Sequence, residues 1–144
     1  MNFFKIIITL LLTVMISFSN SFGQTKNLSV TVKNIGEIKG DLLVYLYDKK
    51  ENFPKEGKYY KYFKFPVTAQ EMTITLKDLP VQEYAINIVH DVDGNGECNR
   101  TKIGFRTERI GFSNSIKPKM KVPSFESAKI SKDATRISIE LYEF

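Results

Sequence analysis

The chain has 144 residues, with 21 Lys and Arg against 16 Asp and Glu, a net charge of +5 and one cysteine. That length suits one domain, and a lone cysteine excludes an internal disulfide. Lysines and glutamates are mixed along the chain, without the dense arginine stripe and interleaved aromatics of a nucleic-acid surface.

The first 23 residues read as a secretory signal peptide. Lys5 precedes an apolar run over residues 6–18, and Ser21 and Gly23 stand at the −3 and −1 sites of a signal peptidase. The run is short for a membrane span. An uncleaved anchor is the rival reading, but no basic stop-transfer cluster follows. No cysteine lies near the cleavage point, which excludes a lipoprotein anchor. The expectation is an exported protein, periplasmic or at the cell surface, with a mature domain over 24–144 and no transmembrane segment after cleavage.

Beyond Asn27 the pattern is strand-like. Leu28, Val30 and Val32 alternate with Ser29, Thr31 and Lys33, giving one apolar and one polar face. Turns follow at residues 34–37 and at Lys39-Gly40. Residues 42–47 are apolar at both parities, which places that strand in the middle of the sheet system. A polar loop over 48–60 contains Pro54 and Gly57. Residues 59–67 suit a short edge strand, with Pro66 limiting its pairing. Met72, Ile74 and Leu76 alternate with Thr73, Thr75 and Lys77. After a turn at Pro80, Tyr84, Ile86 and Ile88 resume a core face that ends at His90. Ile137, Ile139 and Leu141 form the last apolar face.

No window has competing helical periodicity. About six short strands predict a single all-β antiparallel β-sandwich, immunoglobulin-like or transthyretin-like. Val44, Leu46, Ile74, Ile86, Ile88, Ile137 and Ile139 form its expected core. The phrase L-P-V-Q-E-Y-A-I resembles one found in transthyretin-like sandwiches. One long segment, about 91–132, lacks a strand pattern; its glycines, aromatics and acids predict an ordered functional loop.

That loop opens H-D-V-D-G-N-G-E-C-N. Asp91, Asp93 and Asn95 alternate, and Gly96 supplies a sharp turn, as in loops that wrap a hard cation with oxygen ligands. Glu97 then offers a backbone carbonyl and Asn99 a further ligand. The position that needs a bidentate glutamate is Lys102, so Glu108 is the candidate for the missing carboxylate if the chain folds back. Such oxygen ligands point to Ca²⁺; His90 and Cys98 are too few for zinc. The alternative is an Asx-rich turn whose side chains cap its own amides, or an internal ion pair of Lys102 with Asp91 or Asp93. Both readings stay open.

Y-A-I-N-I-V-H-D-V-D-G-N-G, G-F-R-T-E-R-I-G-F-S-N and P-S-F-E-S-A, in that order, resemble the uncharacterised bacterial family catalogued as domain of unknown function 2141. The resemblance covers most of the mature chain. It places His90, Asp91, Asp93, Asn95, Gly96, Glu108, Gly111, Phe112, Ser113, Asn114, Pro123, Phe125 and Ala128 on family positions. Cys98, Asn99 and Arg106 depart from its pattern, and Asn99 removes a charge from the candidate cation site. The family implies no activity.

His90 and Ser113 raise a hydrolase reading, with Asp91 or Asp93 completing a triad, but G-F-S-N is not the G-x-S-x-G elbow. Phe112 and Phe125 are expected to pin the long loop onto the sandwich. The sequence reading is a non-enzymatic envelope module that binds or presents an envelope protein or glycan. An envelope hydrolase or carbohydrate-active enzyme using His90 with Asp91 or Glu108 is the alternative. Catalysis requires His90 in a solvent-reached cleft.

Overall fold

A computed structural model describes residues 23–96, 108–117 and 121–143. The signal-peptide reading, up to residue 22, lies outside the described residues. Among the described residues no helix is long and apolar enough to cross a membrane.

Among the described residues, eight strands form two sheets. They are β1 (Thr25–Lys33), β2 (Asp41–Tyr47), β3 (Lys61–Pro66), β4 (Met72–Pro80), β5 (Tyr84–Asp91), β6 (Ile110–Phe112), β7 (Lys129–Ile130) and β8 (Arg136–Glu140). A 3₁₀ turn at Ser113–Ser115 follows β6, and one helical turn, α1 (Phe125–Ala128), precedes β7. One sheet has the order β4-β1-β8 and the other β3-β2-β5-β6, with β7 sharing the far edge of β5. The fold is all-β and sandwich-like.

Between the sheets lies the main core, which includes Val44, Leu46, Ile74, Ile86, Ile88 and Ile139, with the partly buried Ile137 packed against it. These are the residues that period-two alternation sends to one side of each strand. A second core covers the outer face of the larger sheet. There Leu43, Tyr47, Ala85, Val89 and Ile110 meet Phe53, Phe112 and Phe125. The Phe53 ring stands edge-on to Tyr47 at 5.3 Å, to Phe112 at 5.9 Å and to Phe125 at 6.0 Å. Aromatic edges on faces give such clusters a preferred geometry as well as apolar burial. Phe112 and Phe125 thus fasten the long segment to the sheet, and all eight residues of β5 are buried.

Two features differ from the sequence reading. The pairs are antiparallel except β1 with β8, which is parallel. β8 follows β7, which belongs to the other sheet, so the chain crosses between sheets before meeting β1, as a parallel pairing requires. The segment 91–132 is also not one loop. It contains β6, the 3₁₀ turn, α1 and β7, none longer than four residues. Elements that short show no period to read. What starts α1 is local: Ser124 Oγ accepts the Ser127 amide.

Candidate functional site

The end of β5 carries the acidic cluster. Along β5, Ala85, Asn87, Val89 and Asp91 share the outer face, and His90 falls on the core side. Asp91 faces Asp41 across the β2–β5 pair. Like charges opposite one another destabilise a sheet; here Lys64 Nζ binds Asp41 Oδ2 at 2.9 Å. Beyond Asp91 the chain turns tightly. Asp91 Oδ1 accepts the amides of Gly94 (2.8 Å) and Asn95 (3.2 Å), and Oδ2 accepts that of Gly96 (2.8 Å). Asp93 Oδ1 accepts the Asn95 amide at 3.1 Å. Gly96, with φ of 80°, takes the left-handed conformation that the spacing predicts.

Glu108 joins this turn from 17 residues on. The His90 amide donates to the Arg109 carbonyl at 2.9 Å, and the Val92 amide donates to Glu108 Oε1 at 3.0 Å. Asp91 is fully buried, Glu108 nearly so and Asp93 is exposed. Each offers a carboxylate oxygen, and these three oxygens lie within 4.8 Å of one another. The coordination sphere of a calcium ion, with oxygens at 2.3–2.6 Å, is about 5 Å across. Three amides occupy Asp91, and an ionised carboxylate has about four acceptor sites, so one further partner fits. The self-capped turn and the clustered carboxylates therefore coexist.

The structure brings Asp91, Asp93, Asn95 and Glu108 together. Glu97 and Asn99, together with Cys98, Lys102 and Arg106, lie outside the described residues. Sequence reasoning missed Asp41, whose place beside Asp91 follows only from strand register. It also missed the role of Gly40. A Cβ on Gly40 would lie 2.0 Å from the Asp91 carbonyl oxygen, so the glycine lets the chain entering β2 press against the end of β5.

His90 and Ser113 are not neighbours. His90 is 1% exposed and its Nε2 contacts the Lys39 carbonyl at 2.7 Å. A carbonyl only accepts, so Nε2 carries the proton. Ser113 Oγ accepts the Ile86 amide at 2.9 Å and donates to the Ala128 carbonyl. Ile86 and His90 are four residues apart on β5, roughly 13 Å. No Ser–His pair forms. Ser113 instead joins β5, β6 and α1, and Asn114 (φ 63°) adds bonds to the carbonyls of Ser127 (2.8 Å) and Lys129 (3.1 Å). Ser113→Ala strands a buried amide and a buried carbonyl, and is expected to cost about 1–3 kcal/mol in urea unfolding. A wild-type midpoint would contradict that bridging role.

On the core side of the same strand end, a cleft of about 380 Å³ is lined by residues including Glu37, Gln70, His90 and Arg109. Its guanidinium is already committed. Arg109 Nε donates to Glu143 Oε1 at 3.0 Å, and Nη1 donates to the Asn34 carbonyl at 2.8 Å and to its Oδ1 at 2.7 Å. Gly36 makes room for that side chain: a Cβ there would lie 3.0 Å from Arg109 Nε.

No curated protein and no solved structure matches the chain. The model of the family described as "Uncharacterized protein conserved in bacteria", domain of unknown function 2141, matches residues 30–140, from within β1 to the end of β8, and the chain belongs to that family.

Proposed function

We propose that the protein is an exported, non-enzymatic binding module of the bacterial cell envelope whose long segment is ordered by a divalent cation, calcium. The observation that carries the cation is the convergence of Asp91, Asp93 and Glu108, with oxygens within 4.8 Å. Two of these carboxylates are buried, where repulsion between like charges is poorly screened and a divalent cation relieves it. The ligand set is all oxygen, which suits calcium rather than a softer metal. His90 lines the cleft together with Glu108, but it is 1% exposed with Nε2 held by the Lys39 carbonyl, and Ser113 is tied to Ile86 and Ala128, which supports a binding role over hydrolysis.

Calcium titration followed by thermal unfolding tests the ion: the melting temperature rises, EDTA reverses the rise, and Asp93→Ala abolishes it. Export has its own test. Intact-mass analysis of protein from the native host is expected to find a chain starting at Gln24, and full-length chain in the membrane fraction would favour an anchor instead.

A further inference from the structure

An asparagine followed by glycine is chemically the weakest amide a chain can carry, because no Cβ shields the glycine nitrogen as it closes on the asparagine Cγ. Of the asparagines in this chain, only Asn95 precedes a glycine. Both residues are exposed, and a Cβ on Gly96 would meet nothing within 4 Å among the described residues. The turn nevertheless holds the reacting atoms in a defined way. The Gly96 amide, whose nitrogen is the nucleophile, donates to Asp91 Oδ2 at 2.8 Å. The Asn95 carboxamide, which carries the leaving group, donates from Nδ2 to Asp93 Oδ2 at 3.2 Å. The Asn95 amide between them donates to Asp91 Oδ1 at 3.2 Å and to Asp93 Oδ1 at 3.1 Å. Carboxylates thus engage both ends of the reaction.

We propose that Asn95-Gly96 is a spontaneous deamidation site, and that Asp91 sets its rate by holding the Gly96 amide. In the reaction the Gly96 nitrogen gives its proton to solvent and bonds to Asn95 Cγ. The Cγ–Nδ2 bond breaks, ammonia leaves and a succinimide ring remains. Water then opens the ring. Cleavage at Cγ leaves aspartate in a normal main chain, whereas cleavage at the backbone carbonyl leaves isoaspartate, with a methylene added to the main chain. Each event consumes a water and releases an ammonia. Two features of the turn slow the first step. The nitrogen has to leave a charge-assisted hydrogen bond, the stronger kind. The negative charge that then develops on the nitrogen and on the Asn95 side-chain oxygen forms beside Asp91 and Asp93, where like charge disfavours it. The products differ from asparagine in ways the loop feels. Aspartate adds a carboxylate next to the three whose oxygens already lie within 4.8 Å of one another, and isoaspartate lengthens the turn that Asp91 caps.

This chemistry rests neither on calcium nor on the binding-module reading, so its test is run in EDTA. Purified protein is incubated at neutral pH, folded and in urea, and mass spectrometry with fragmentation follows amide loss at Asn95. Enzymatic methylation of isoaspartate is the second readout. In urea, Asn95 is expected to convert faster than any other asparagine. In the folded protein it converts about tenfold more slowly or less, the effect of a charge-assisted hydrogen bond on a rate. Asp91→Ala, shown by circular dichroism to be folded, recovers about tenfold of the lost rate. Asp91→Asn, which keeps an oxygen without the charge, falls between and serves where the alanine variant does not fold. Ser113→Ala lowers stability from a distance without touching the turn, and its folded-state rate stays near wild type. The proposal is overturned by equal rates in folded and urea-unfolded protein, or by no preferred loss at Asn95 in either. It is also overturned if Ser113→Ala speeds the reaction as much as the Asp91 variants do, which would assign the protection to global folding. Slower loss in the Asp91 variants would make that carboxylate the base that takes the Gly96 proton, the opposite of the role proposed.

Discussion

Gly40→Ala is expected to destabilise the protein by about 4 kcal/mol or more, among the larger effects of a single substitution. The added Cβ would lie 2.0 Å from the Asp91 carbonyl oxygen and 2.8 Å from the Val92 Cα. Both obstacles are backbone, so no rotamer change relieves them. Gly40 also holds φ of 71°, which costs an alanine roughly 1–2 kcal/mol before any contact is considered. Its carbonyl accepts the Val67 amide at 3.0 Å, which further fixes the turn. The corresponding fall in melting temperature is on the order of 10–20 °C. Gly57→Ala is the control, because Gly57 has a similar φ of 70° with nothing within 4 Å of its Cβ. It is expected to lose about 1–2 kcal/mol from the backbone conformation alone. Thermal unfolding followed by circular dichroism separates the two. Equal losses would show that β2 and β5 do not approach at Gly40 as described. Because the clash falls on Asp91, Gly40→Ala also disturbs the acidic cluster, and any cation affinity should fall with stability.

How far the sequence was legible follows from period and separation. Residues 42–47, apolar at both parities, announced a strand covered on both sides, and β2 has a neighbour on each edge and a core on each face. The sequence shows β5 by one face only. Tyr84, Ile86 and Ile88 were plain, but Ala85, Asn87 and Val89 look unremarkable until Phe53 and Phe125 are known to lie over that side. Nothing local shows that, because the covering residues lie more than 30 positions away in each direction. Within the site, the alternation of Asp91, Asp93 and Asn95 and the glycine turn were visible because they are contiguous. Lys102 at the glutamate position makes Glu108 the candidate for the missing carboxylate, and the structure sets Glu108 beside Asp91. Asp41 and Gly40 left no such signal; their role comes from the register that puts the start of β2 against the end of β5.

The carboxylates that converge at the end of β5 are why calcium should matter. At an effective dielectric near 20, two carboxylates about 5 Å apart repel by about 3 kcal/mol. The amides of Gly94, Asn95 and Gly96 on Asp91, and of Val92 on Glu108, offset part of this. They are dipoles, whereas a divalent cation brings two full charges. At a hundredfold excess over Kd, a ligand that binds only the folded state stabilises it by about 2.7 kcal/mol. In a domain of this size that raises the melting temperature by about 5–15 °C. The variants separate ligation from capping. Asp93 is exposed, so Asp93→Ala, which also loses a cap on the Asn95 amide, should abolish the calcium shift at a smaller cost to the metal-free protein than Asp91→Ala, and Asp93→Asn, which keeps an oxygen, should weaken the shift less. Asp91 is the buried cap of the turn. Asp91→Ala should remove the shift and also destabilise the metal-free protein by about 1–3 kcal/mol, because three loop amides lose their acceptor. If Asp91→Ala destabilises the protein while millimolar calcium shifts neither wild type nor Asp93→Ala, the loop is a self-capped turn and the carboxylates hold no ion.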